Sequence, residues 1–244
     1  MKLACLNIFY TLLLSYLFAF SDLIVNDALI SSKIIKTLPI SPQIFHTPLI
    51  VICSECSTTY LPLLLETIIR QPEMNVSNVF LAYDPLGCES VRLLEHLFRF
   101  RIYPISDLAR HSLDRIIAAL PLTEYQQYII IEDTVVLSSD FLTYFGQLIP
   151  IIHSPAPIAV SGWNENGVSN ISDDTSLVYK AVGYPLRYAF MVPKEFNLTG
   201  IILNTLLDDF NGPDGRDLQI IIPDVSRVYY ANERLIAKER IVCM

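Results

Sequence analysis

Two adjacent carboxylates, Glu132 and Asp133, close the apolar run YIIIE (128–132) and its next residue, and Thr134 follows them. Acids at the tip of an apolar strand suit a divalent cation, because carboxylate oxygens are its preferred ligands. A cation held there can offset the charge of a departing diphosphate. The plain alternative is a solvated turn in which the acids cap the next element. A second candidate is CSEC (53–56). Cys-x-x-Cys between a strand and a helix describes a thiol oxidoreductase site, where a helix start lowers the thiol pKa. Its alternative is two cysteines at a strand end that bridge elsewhere. His46, His96 and His153 have no second ligand at metal spacing and read as surface or packing histidines. Trp163, the lone tryptophan, could stack on a sugar or base, or simply pack in the core.

The elements that must position these residues are legible from periodicity. LIVIC (49–53), VFLAY (79–83), YIIIE (128–132) and IAVSGW (158–163) are short apolar runs of buried-strand type. Between them the pattern turns helical. Thr58 or Thr59 can cap a helix with Leu61, Leu64, Leu65, Ile68 and Ile69 on one face, and Pro62 is tolerated in its first turn. Glu89–Phe98 reads as a second helix. Asp107 can cap a third, with Leu113, Ile116, Ile117 and Leu120 on one side. Ser138 or Ser139 can cap a helix over Phe141–Leu148. Strands alternating with helices predict an α/β fold with a mainly parallel sheet. Ligands of such sheets sit beyond the carboxyl ends of the strands. Asp84, Glu132 and Asp133 all stand at such ends.

The 244 residues suffice for one domain with a sizeable core, plus an appendage. Hydrophobic residues make up 52% of the chain, and mean hydropathy is +0.42. Leu3–Phe20 carries no charge, follows Lys2 and is closed by Asp22. It exceeds a signal-peptide core of about 7–15 residues and reaches the lower limit for a spanning helix. Lys2 favours the cytoplasmic side. The expected organisation is a cytoplasmic tip and signal anchor over 1–21 (or a cleaved signal peptide), a stem over 22–47, and a catalytic-type domain over 48–244. Asn75, Asn170 and Asn197 begin sequons, which agrees with entry into the secretory pathway. Cys53, Cys56, Cys88 and Cys243 could pair in an oxidising lumen. A net charge of −8 without a basic patch argues against a nucleic-acid partner.

Five segments, taken in order, carry a resemblance: IEDTVVLSSDFLTYF (131–145), VSGWNENG (160–167), LVYK (177–180), LLDDFNGP (206–213) and RDLQIIIPDVSR (216–227). Together they resemble the β-1,2-N-acetylglucosaminyltransferase family, which includes N-acetylglucosaminyltransferase I and the protein O-mannose enzyme, with the closer likeness to the latter. That resemblance implies a GT-A type nucleotide-sugar-binding fold. It implies a Golgi type II membrane protein that transfers N-acetylglucosamine from UDP-GlcNAc to the 2-position of a mannose on a glycoprotein, with inversion and a manganese ion. Carried over, Asp84 falls on the aspartate facing the uridine and His111 on the uracil-side histidine. Glu132 and Asp133 fall on the first two acids of the family's EDD. Asp208 and Asp209 fall by the catalytic base. The chain also departs from the pattern. Thr134 replaces the manganese-binding acid, so the expected metal position is Asp133 with Thr134, and a hydroxyl is a weaker, neutral ligand. Cys56 replaces an arginine near the diphosphate. YPLRY (184–188) stands where the family has PGLGW. A non-catalytic member that binds a nucleotide or a partner is the alternative these departures leave open.

Overall fold

A computed structural model describes residues 30–32, 38–54, 56, 60–72, 74–88, 91, 99–153, 158–167, 171–172, 174–182, 186–198 and 219–230. The expected anchor, the Glu89–Phe98 helix apart from Val91, and the Asp208–Asp209 pair lie outside these residues. No helix among the described residues is long and apolar enough to cross a membrane.

The strands are β1 (Ile30–Ser32), β2 (Leu49–Cys53), β3 (Val79–Tyr83), β4 (Arg101–Pro104), β5 (Gln127–Glu132), β6 (Val135–Leu137), β7 (Ala159–Ser161), β8 (Val178–Val182), β9 (Ala189–Pro193), β10 (Gln219–Pro223) and β11 (Val228–Tyr230). The helices are α1 (Tyr60–Ile69), α2 (Leu113–Ala118) and α3 (Phe141–Ile152). Among the described residues nine strands form one sheet in the order β1-β8-β10-β7-β9-β5-β2-β3-β4, and β11 pairs with β6 in a separate ribbon. Within the large sheet only β8 and β9 run against the rest. The sheet is therefore mixed in its pairings but mostly parallel in direction. The block β5-β2-β3-β4 is parallel throughout.

That block explains the continuous apolar runs. Alternate residues of each strand feed opposite faces, and both faces are covered. Leu49, Val51, Leu81, Ile129 and Ile131 join the core beneath α1 and α3. Ile50, Ile52, Phe80, Ala82 and Ile130 join the core beneath α2. α1 buries Leu61, Leu64, Leu65 and Ile68 as its periodicity predicts, while Ile69 at its last turn is exposed. The expected helix from Asp107 is divided. Asp107 takes a left-handed conformation and opens a short turn over Leu108–Arg110 without capping it, and α2 starts only at Leu113. His111 thus lies between the turn and the helix. α3 begins after Asp140, where the Ser138 hydroxyl donates to the Asp140 carboxylate (2.6 Å), and it runs four residues beyond the expected end, through Pro150.

Candidate functional site

The register aligns the carboxyl ends of four parallel strands. Glu132 lies beside Ile52, Cys53 beside Tyr83, and Tyr83 beside Pro104. Beyond these ends lie Asp133, the segment starting at Ser54, Asp84, and Ile105 to His111. Asp84 and His111 therefore occupy the same edge, past neighbouring strands. Asp84 Oδ1 accepts the Leu86 N–H (3.0 Å), and its carbonyl accepts from Gly87 and Cys88, so it shapes the turn after β3. His111 Nε2 lies 3.1 Å from the Ser106 carbonyl oxygen. Both side chains remain partly exposed.

Asp133 is different. It is fully buried, at 0% exposure. Its N–H donates to Ile52 O at 3.2 Å, extending the β2–β5 ladder by one residue. Its carboxylate turns toward the segment after β2: Oδ2 accepts the Cys56 N–H at 2.6 Å and Oδ1 accepts the Ser54 hydroxyl at 3.3 Å. The Cys56 contact is short, as charge-assisted bonds are, and the Ser54 contact is longer and weaker. Cys56 is in the left-handed region (φ 51°) and is bonded to Cys88, with Cα atoms 5.4 Å apart. The disulfide ties the segment after β2 to the turn after β3. Cys53 is free and buried, and burial, with the Asp133 charge next in weight, raises its thiol pKa well above the usual value. Cys53 and Cys56 are therefore not a redox pair, which corrects that expectation: Cys56 is engaged elsewhere, and Cys53 is held as a neutral thiol.

This geometry bears on the expected manganese ion. A divalent cation takes several oxygen ligands at short range. Asp133 is buried and its carboxylate is turned toward Cys56 and Ser54, away from the strand end. Thr134 is 4% exposed and brings only a hydroxyl. No group of three His, Cys, Asp or Glu side chains is placed to hold a metal among the described residues. The donor set at the end of β5 does not fit the ion, and Asp133 serves as an anchor for the disulfide-bonded loop.

Glu132 braces the entry to β9. Its N–H donates to Tyr188 O (2.8 Å) and its Oε1 accepts the Tyr188 N–H (3.1 Å), holding Tyr188 at φ 60°. Tyr188 meets Trp163 edge-on at 5.1 Å between ring centroids and Tyr230 at 5.8 Å. Trp163 is thus neither wholly core nor isolated; it belongs to an aromatic wall beside Glu132. The Arg187 guanidinium lies over its ring at 5.6 Å. Sequence reasoning read YPLRY only as a departure and missed Arg187. An arginine two residues before the strand AFMVP was the available signal.

The remaining motif segments interlock behind this wall. Asn164 Nδ2 donates to the carbonyls of Pro223 and Asp224 (2.8 and 2.9 Å), and its N–H donates to the Ser226 hydroxyl. Asp224 Oδ1 accepts from the Tyr179 hydroxyl at 2.8 Å. Arg227 is buried against Tyr144, pairs with Asp140 at 2.9 Å and donates to Thr175 O. VSGWNENG, LVYK and IPDVSR are therefore one polar junction, built for positioning.

A family model described as the GNT-I family matches residues 98–237, more than half of the chain. No curated protein sequence matches. Among solved structures, the chain is similar to GalNAc-T7 with UDP, GalNAc and Mn2+, at 12% identity and TM-score 0.48, over 76% of this chain and 44% of that one. It is similar to S. aureus TarS 1-349 at 14% identity and TM-score 0.49, over 79% and 65%. It is also similar to a 4-diphosphocytidyl-2C-methyl-D-erythritol synthase from Anaerococcus prevotii at 10% identity and TM-score 0.45, over 82% and 98%. The chain thus spans less than two thirds of the length of the first two.

Proposed function

The chain belongs to the GNT-I family of glycosyltransferases, and on that premise we propose that it binds UDP-GlcNAc beyond the ends of β5, β2, β3 and β4 and transfers N-acetylglucosamine to the 2-position of a mannose. The observation that carries this reading is the alignment of Asp84, His111 and Glu132 along one edge of a parallel block, where such sheets bind nucleotides. Asp84 is suited to accept from a uracil or ribose donor, and His111 to contact the base edge. The reading includes a GT-A type fold. In the reaction, the mannose hydroxyl oxygen attacks the anomeric carbon as the bond to UDP breaks, with inversion. Asp208 or Asp209 takes the hydroxyl proton. The reading takes a mannose-bearing glycoprotein as acceptor and a type II Golgi membrane protein with this domain in the lumen. The Cys56–Cys88 disulfide supports an oxidising compartment.

A second reading, nucleotide binding without turnover, is favoured by the inward-turned Asp133 beside Thr134. Incubating the full chain with UDP-GlcNAc and an α-mannoside separates the two. Transfer predicts a β-1,2-linked disaccharide by NMR, lost in an Asp208→Asn/Asp209→Asn double variant. UDP binding with neither transfer nor hydrolysis would leave the second reading standing.

A further inference from the structure

The strand ends that would receive the donor are rich in negative charge: Asp84, Glu132 and Asp133 stand there, and Glu165 is near enough to act on Tyr188. A diphosphate entering this field needs a cation. The end of β5 does not fit a divalent ion: it offers one buried, inward-turned carboxylate and a hydroxyl, and no group of three ligating side chains stands there among the described residues. Arg227 is committed to Asp140, Thr175 and Tyr144. Arg187 is not so engaged. Ile131 pairs with Ala189 and the Glu132 N–H donates to Tyr188 O, which sets Tyr188 beside Glu132; the Ala189 N–H donates to Arg187 O at 2.7 Å, a tight turn that places Arg187 just before it at this edge. On the other side, Gly162 donates to Ala189 O at 2.8 Å, which brings the end of β7 alongside. Arg187 thus stands between the ends of β5 and β7. Its guanidinium carbon lies over the Trp163 ring, 5.6 Å from the centroid, so the aromatic wall holds the cation at this edge. Its Nε is buried and has no hydrogen-bond partner among the described residues; Arg227 Nε also lacks a hydrogen bond but lies 2.9 Å from the Asp140 carboxylate. A buried donor without an acceptor is costly, and a planar fork beside it matches phosphate oxygens.

Resting on the donor site proposed above, we infer that Arg187 is the cation that receives the diphosphate, and that donor binding is independent of a metal. The test is calorimetric titration of the full chain with UDP and with uridine in EDTA, for wild type, Arg187→Ala, Arg187→Lys and Asp84→Ala. Arg187→Ala should weaken UDP by about tenfold or more and leave uridine unchanged. Arg187→Lys should keep part of the UDP affinity, since the charge stays and the fork is lost. Asp84→Ala should weaken both ligands. If wild type binds UDP and Arg187→Ala binds it equally, or only the melting temperature falls, the inference is overturned and the donor site stands. UDP binding that vanishes in EDTA and returns with manganese overturns it too. If wild type binds neither ligand, the donor site itself fails.

Discussion

At the scale of the residue, the carboxylate missing at Thr134 is one of three departures from the pattern this site resembles, with Cys56 and YPLRY. Asp133 faces inward because the Cys56 N–H and the Ser54 hydroxyl take its oxygens. Thr134→Asp would place a second carboxylate beside it at a buried position, where an unpaired charge is unfavourable. The variant should melt lower than wild type in EDTA and recover with manganese; the same melting temperature in both conditions would show that this end is no longer convertible to a metal site. Cys53 gives a pH signature. Burial raises its pKa above the unfolded value of about 8.5, so the folded chain keeps a proton that the unfolded chain releases. Its contribution to stability is full below about pH 8.5 and declines as pH rises beyond it. Tyr128, raised to about 12 by burial and then by Glu195, adds a further decline above about pH 10. Denaturant titrations from pH 7 to 11 should show the first decline shrink in Cys53→Ala. Equal slopes in both proteins would contradict the assignment.

At the scale of the element, the disulfide and the motif junction carry the architecture of the edge. Cys56 and Cys88 are 32 residues apart, so their bond should contribute about 3–4 kcal/mol through loop closure in the unfolded chain. A Cys56→Ser/Cys88→Ser double variant should lose that amount in urea, and a loss below about 1 kcal/mol would mean the loop is held by Asp133 alone. Gly167 tests the junction. A Cβ there would lie 2.7 Å from Ser226 N and 2.9 Å from Asp224 O, both backbone atoms. Gly167→Ala should therefore cost about 1–3 kcal/mol by overpacking, whereas the same change at Gly87, with open space around it, should cost far less. The parallel block was legible from the sequence because strands buried on both faces must be apolar throughout, as LIVIC and VFLAY are. β4 was not: Arg101–Pro104 is an edge strand with exposed ends, and RIYP carries no apolar run. β6, β10 and β11 escaped because they are short or hidden within segments read as motifs. The Asp107 helix was misjudged because a left-handed residue ends one turn before the helical periodicity begins. The candidate residues on strand tips are legible from their charge and position. Arg187 is not, and which of Cys53, Cys56, Cys88 and Cys243 pair is left open, since only pairing across the sheet brings Arg187, Cys56 and Cys88 to the edge.

At the scale of the whole molecule, the large sheet presents an acidic row of strand ends at Asp84, Glu132 and Asp133. On the proposed reading a nucleotide would bind there, with polar contacts for the uridine from Asp84 and His111 and a cation from Arg187. The central claim is that the edge is a uridine-nucleotide site, and titration of UDP into wild type, Asp84→Ala and His111→Ala tests it most directly. The account predicts one-site binding by wild type. It predicts affinities about tenfold or more weaker in each variant, with unliganded melting temperatures nearly unchanged. Variants that melt lower yet bind UDP as well as wild type does would show that Asp84 only shapes its turn and His111 only packs, and would contradict the account.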